Sequence, residues 1–249
     1  MIIALWASYS QAIGDTMCGR FNVIDSPQVR LLVDILGIEL GVLRFSADVA
    51  PGSKISIVRQ TASGRAFVDA LWWLMLDPAT LKPNYQYASF NSRSDKLDSK
   101  QTLAYKPFRE CRCIIPASAF VEGLGDRKTY HKIELVDQAI AFGGLCKHYL
   151  NERTGESVFS ASIITLGPLA QWQSIHPKSM PLMLPTHDEA LIDDWLDPDF
   201  RDISRFQSLL IPRISGPQRI TPIGRPSKWD AKGDPWILSA SDTDMGQND

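Results

Sequence analysis

The chain has 249 residues, of which 44% are hydrophobic and 22% charged, ordinary values for one large globular domain. Its 26 basic and 28 acidic residues leave a formal net charge of −2. That excludes a protein that coats nucleic acid through bulk positive charge, but not one with a local basic groove. No apolar run approaches the roughly 18 residues that a spanning helix needs, so no membrane association is expected.

Residues 1–16, "MIIALWASYSQAIGDT", lack a basic start, and their apolar stretch is short and broken by Ser and Gln. They make a poor signal peptide. The expectation is an extension that is removed or an over-extended start, with the chain proper beginning at Met17. Residues 17–235 are expected to form one domain, and the acidic, polar residues 236–249 a disordered tail.

Within the domain, residues 26–37 predict a helix. Ser26 can cap it, Pro27 suits its first turn, Val29, Leu32, Val33 and Leu36 share a face, and Gly37 stops it. "SKISIVRQ" and "RAFVDALWWLML" read as strands joined by a hairpin at "TASG". "TYHKIELV" and "AIAFGGLC" are two more strands, and residues 149–165 form a hairpin turning at Thr154 and Gly155. "PLAQWQSIH" predicts a short helix, and "THDEALIDDWL" a longer one with a Thr186–Glu189 capping box. "RITPIG" is a late strand. The fold class is therefore α+β: a single domain with a mainly antiparallel, twisted or barrel-like core and flanking helices.

The four cysteines are Cys18, Cys111, Cys113 and Cys146. No C-x-x-C pair exists, and the Cys111 and Cys113 spacing suits neither a zinc knuckle nor a redox dithiol. Free thiols in a reducing, cytoplasmic setting are expected, with no metal and no cofactor. Cys18 has two readings. One is a buried inert thiol. The other follows if Met17 is the start and is trimmed, because Cys18 then carries a free α-amine beside its thiol. Such an amine, with a pKa near 8, attacks an aldehyde to give an imine, and the thiol closes on the imine carbon to give a thiazolidine.

Four blocks appear in order along the chain: "MCGRF" at 17–21, "FNSRSD" at 90–95, "RCIIPASAFVE" at 112–122 and "SIHPKSMPLML" at 174–184. Together they resemble the SOS response-associated peptidase family, the abasic-site-processing proteins, over roughly residues 17–225. The resemblance implies a partner, single-stranded DNA bearing an abasic site, and a covalent thiazolidine crosslink between its sugar aldehyde and the N-terminal Cys18. It also implies self-cleavage ahead of that cysteine, a monomer, and association with the nucleoid when DNA is damaged. Carried over by position, Cys18 is the nucleophile and Asn91 binds the sugar oxygen. Glu122 is the general acid/base, and His176 assists proton transfer and contacts phosphate. Arg20 and Arg93 bind flanking phosphates, and Trp72 offers a stacking face to a base. His131, His148 and His187 read as structural.

The sequence departs from the family pattern at Val121 and Gly123 beside Glu122, at Trp73 in place of a glycine, and at Lys178 after His176. An alternative in a different class is a cysteine or N-terminal-nucleophile hydrolase acting on amides, with His176 as base. A non-catalytic single-strand binder is a third. It predicts DNA binding indifferent to Cys18→Ala.

Overall fold

A computed structural model describes residues 19–239. In chain order its elements are β1 (Phe21–Val23), α1 (Pro27–Ile35), β2 (Ser46–Val49), β3 (Lys54–Thr61), β4 (Gly64–Leu71), β5 (Asn91–Arg93), α2 (Tyr105–Glu110), β6 (Arg112–Ala117), β7 (Ala119–Gly123), β8 (Tyr130–Leu135), β9 (Ile140–Leu150), β10 (Ser157–Leu166), β11 (Met180–Pro181), α3 (Glu189–Leu196), β12 (Gln218–Ile223) and β13 (Trp236–Leu238).

Five strands close into a small barrel: β10 pairs with β4, β4 with β3, β3 with β6, β6 with β9, and β9 again with β10. Because successive side chains point to opposite faces, register decides what fills the ring. Ile55 and Ile57, Cys113 and Ile115, Phe142, Ala161 and Ile163 share one face and are each no more than 3% exposed. The lumen is tight enough to need a glycine. A Cβ on Gly144 would meet Cys113 Sγ at 2.9 Å and Ile115 Cδ1 at 3.0 Å. The second sheet runs β13-β12-β8-β7-β1-β2 with antiparallel pairing throughout. The α+β reading with a barrel-like core and flanking helices holds.

α1 forms as its sequence dictates. Ser26 Oγ accepts from Val29 N–H at 3.3 Å, Pro27 opens the helix, and Val29, Leu32 and Val33 are buried. Gly37, at φ +66°, ends it in a conformation that favours glycine. α3 packs on β6, where Trp195 Nε1 donates to the Cys113 carbonyl at 3.0 Å. Beneath it lies Arg112, only 3% exposed, whose guanidinium donates to the carbonyls of Trp195, Asp194, Asp197 and Phe200. Asp194 and Trp195 lie in the last turn of α3 and Asp197 is its C-cap, so the side chain is a buried C-terminal cap that also ties down Phe200 in the following loop. Burial lowers its pKa to about 10.

Several expectations are corrected. The strand read as "RAFVDALWWLML" ends at Leu71, because Trp72, Trp73 and Leu74 are buried in succession and alternation is lost. "PLAQWQSIH" supplies a single 3₁₀ turn, Ala170–Trp172. α3 is capped by Asp188, whose Oδ1 accepts from Leu191 N–H at 3.0 Å, not by Thr186. Glu189 is then the first helical residue, two positions too early for a capping box. β13 lies inside the expected tail and pairs with β12, so the ordered domain runs past residue 235. Residues 240–249 and the extension 1–16 lie outside the described residues.

The thiols are not all free. Cys111 and Cys146 face each other across the β6–β9 ladder with a Cα–Cα distance of 5.2 Å and form a disulfide. Cys113 remains a buried thiol, and desolvation keeps its proton on far above neutral pH. Among the described residues, no helix is long and apolar enough to cross a membrane.

Candidate active site

Glu122 sits near the end of β7 and is 2% exposed. His176 follows the 3₁₀ turn, its backbone N–H donating to Trp172 O at 2.8 Å, and is 5% exposed. The two side chains meet: His176 Nδ1 lies 3.7 Å from Glu122 Oε2. The imidazole is oriented by a closer contact, Nδ1 to the Gly123 carbonyl at 2.6 Å. A carbonyl only accepts, so Nδ1 carries the proton in the neutral ring and Nε2 holds the lone pair. Nε2 is buried and has no hydrogen-bond partner among the described residues. Burial, with a smaller contribution from the Lys178 charge, holds the His176 pKa below the ordinary imidazole value of 6.5. The result is a neutral base of fixed tautomer beside a carboxyl.

β1 leads the chain toward this pair. Phe21 is paired antiparallel with Phe120, and Arg20 O accepts from Val121 N–H at 2.9 Å. The register therefore carries the segment before Arg20 toward the Glu122 end of β7. Cys18 itself lies outside the described residues.

Asn91 opens β5 and is half-buried, aligned in parallel with Ile163 of β10. Its strand is tied to β1 through aromatic packing. Phe90 and Trp72 have ring centroids 5.8 Å apart, Trp72 and Phe21 4.8 Å, both edge-on. This overturns the stacking role expected of Trp72. It is 0% exposed and its Nε1 donates to the Phe90 carbonyl at 2.9 Å, so no face is left for a base. Trp73, at 1% exposure, is equally inside. Trp72 instead holds the Asn91 strand against the strand that leads from Cys18. Trp72→Ala should accordingly cost about 3–5 kcal/mol, read by urea unfolding. A loss below about 1 kcal/mol would mean that this aromatic link is not under packing load.

The two arginines are surface groups with acidic partners. The Arg20 guanidinium pairs with Asp48, which also accepts from Trp229 Nε1 at 3.1 Å. Arg93 binds Asp95 through two contacts of 2.9 and 2.8 Å. A phosphate approaching either cation competes with a carboxylate already there.

His131, read as structural in the sequence, lies beside the pair. The β7–β8 register sets it directly across from Glu122, so both side chains share a face. It is 5% exposed, and its ring packs edge-on to Trp236 at 5.5 Å. No local signal marks it, since only strand pairing brings it to the site. Among the described residues, no group of three His, Cys, Asp or Glu could hold a metal ion.

The two buried histidines give the fold a pH dependence. Desolvation lowers the pKa of both His131 and His176 below 6.5. On unfolding, each regains the ordinary value and takes up a proton that the folded state resists. Stability is therefore fully present above about pH 6.5 and lost as the pH falls below it. The urea midpoint should drop between about pH 7 and about pH 5, and drop less in His176→Gln. A midpoint that rises over that interval would contradict the burial of neutral imidazoles.

Residues 17–225 match the SOS response associated peptidase (SRAP) family. The chain is 29% identical over 205 residues to the abasic site processing protein YobE of Bacillus subtilis, covering 79% of this chain and 89% of that one. It is 30% identical to YoqW of the same organism, covering 79% and 87%. Among solved structures, a Bacteroides thetaiotaomicron protein superposes with a TM-score of 0.65 at 20% identity, over 83% of this chain and 92% of that one. A Bordetella bronchiseptica protein gives 0.64 at 16% identity, over 84% and 100%. These two likenesses concern the fold alone.

Proposed function

The chain belongs to the SOS response associated peptidase family, and from that premise we propose that it processes abasic sites in single-stranded DNA by forming a covalent crosslink at Cys18. The observation that carries the reading is the buried Glu122–His176 pair, 3.7 Å apart, at the end of β7 toward which the chain before Arg20 is directed. The curated relatives are named for abasic-site processing, which fits the same reading.

The chemistry needs what this corner offers. An abasic sugar is mostly a closed hemiacetal. Proton transfer to its ring oxygen and from its hydroxyl opens it to the aldehyde. The Cys18 amine adds to that carbon, and loss of one water leaves an imine. The thiol then adds across the C=N bond, its sulfur going to carbon and its proton to nitrogen, which closes the thiazolidine. Glu122 is the group that gives and takes protons at the sugar and carbinolamine oxygens. His176, neutral and with its Nε2 lone pair available, relays a proton or steadies the departing water. Asn91 donates to a sugar oxygen. Arg20 and Arg93 bind the flanking phosphates after exchanging Asp48 and Asp95 for them.

The ion-pair exchange has a measurable sign. Binding to single strands should weaken with salt at about 0.7 counterions released per phosphate contact, and Arg93→Ala should flatten the slope by about one contact's share. An affinity that does not change with salt would misplace the groove. The reading itself is tested on denaturing gels. A heat-stable adduct should form with abasic single-stranded DNA but not with the same DNA whose aldehyde has been reduced to an alcohol. Adduct formation with the reduced DNA would reject the aldehyde mechanism.

A second reading, a cysteine hydrolase, draws on the peptidase in the family's name. The pair that would serve an amine would also serve a thiol. Turnover of amide substrates without any DNA adduct would favour it.

A further inference from the structure

We propose that the mouth of the barrel, away from Glu122 and His176, is a binding site for a nucleotide phosphate, taken either from a free nucleotide or from the end of a strand. The inference does not rest on the crosslinking chemistry.

A cavity of about 690 Å³ opens there, between the barrel rim and the segment that includes α2. Its size falls within the range of small-molecule sites, and barrel mouths are a recurrent place for them. The register explains the location. Arg59, Cys146, His148 and Phe159 lie on the same strand faces as the lumen residues Ile57, Gly144 and Ala161, one or two pairs nearer the rim. Phe159 is four residues along β10 from Ile163, the partner of Asn91, and so about 13 Å from it.

The chemistry of the wall selects an anion. Arg59, Lys100, Lys106 and Lys147 line the cavity against a single carboxylate, Glu110. None of the four cations is in an ion pair among the described residues, which sets them apart from Arg20, Arg30, Arg44, Arg65 and Arg93. Arg59 is half-buried, and its Nε is enclosed with no hydrogen-bond partner among the described residues. Its guanidinium carbon lies 4.4 Å from the centroid of the Phe159 ring. A guanidinium offers paired N–H donors that match two phosphate oxygens. Taking that cation partly out of water is unfavourable without a partner, as the downward shift of its pKa by desolvation reflects. A ligand anion supplies what the chain omits.

The rest of the wall selects a ring. The Phe159 and His148 rings lie 4.7 Å apart with planes tilted 38°, and Leu103 and Tyr105 also line the cavity. An apolar wall beside a guanidinium is the complement of a base joined to a phosphate. An isolated phosphate would leave that wall unused.

Calorimetry on the full chain with deoxyadenosine monophosphate, inorganic phosphate, and an intact oligonucleotide with and without a 5′-phosphate tests this. The expected result is saturable one-to-one binding of the mononucleotide, tighter than of inorganic phosphate, and about tenfold or more weaker in Arg59→Leu. Lys106→Gln, at an exposed position that cannot unfold the core, should weaken it several-fold by removing one charge–charge attraction. If the strand end is the source, the 5′-phosphate should instead add an increment to oligonucleotide binding that Arg59→Leu removes. No binding of either probe, or binding indifferent to both Arg59→Leu and Lys106→Gln, would overturn the site.

Discussion

Cys18→Ala is expected to abolish the heat-stable adduct with abasic single-stranded DNA while leaving non-covalent binding largely intact. Ring closure needs an amine and a thiol on adjacent carbons of one residue, and alanine at the terminus supplies only the amine. An imine formed by that amine is reversible and hydrolyses on heating. The phosphate contacts proposed for Arg20 and Arg93 do not involve the thiol and should persist. Cys18→Ser, with a poorer nucleophile in the same place, should likewise stop at a hydrolysable imine that borohydride can trap. The comparison isolates sulfur from amine: both variants trap with borohydride, and neither survives heat without it. A heat-stable adduct from Cys18→Ala would reject the thiazolidine.

Glu122→Gln should slow crosslinking by about 10²–10⁴-fold, the usual contribution of a positioned acid/base, with a much smaller change in DNA affinity. Glutamine keeps the shape and a hydrogen-bonding head group but cannot exchange a proton. The effect should fall on rate because a carboxyl at 2% exposure is held away from bulk water that could substitute for it. His176→Ala should slow the reaction less, since it removes the proposed relay and leaves Glu122, the proposed primary donor, in place. Equal losses in affinity and rate for Glu122→Gln would assign the residue to binding. The measurement is single-turnover adduct formation alongside equilibrium binding to intact single strands.

The residues with local signatures were legible. "AFVEG" and "SIHP" each hold one member of the pair that the fold brings to 3.7 Å. Ser26, Pro27 and Gly37 bounded α1 because capping and left-handed termination are decided within a few residues. What failed depended on distant pairing. Trp72 reads as a groove residue in sequence, but its indole is enclosed by Phe21 and Phe90, remote from it in the chain. Cys111 and Cys146 are 35 residues apart, and only the β6–β9 register makes them opposite. His131 reaches Glu122 by the same kind of ladder. Periodicity tells which face a side chain takes once a strand is paired, not which strand it pairs with. Thr186 failed for a more local reason: Asp188, two residues on, caps the helix instead, so Glu189 is its first residue.

The central claim is that Cys18 reacts through a free α-amine, and intact mass spectrometry tests it most directly. While residues before Cys18 remain attached, its nitrogen is an amide, which is not basic and forms no imine. A chain expressed from Met17 should be found to begin at Cys18. With abasic single-stranded DNA it should gain the mass of the DNA less one water, since thiazolidine closure after the imine changes no mass. A chain shown by mass to retain Met1, yet giving the same adduct at the same rate, would contradict the account.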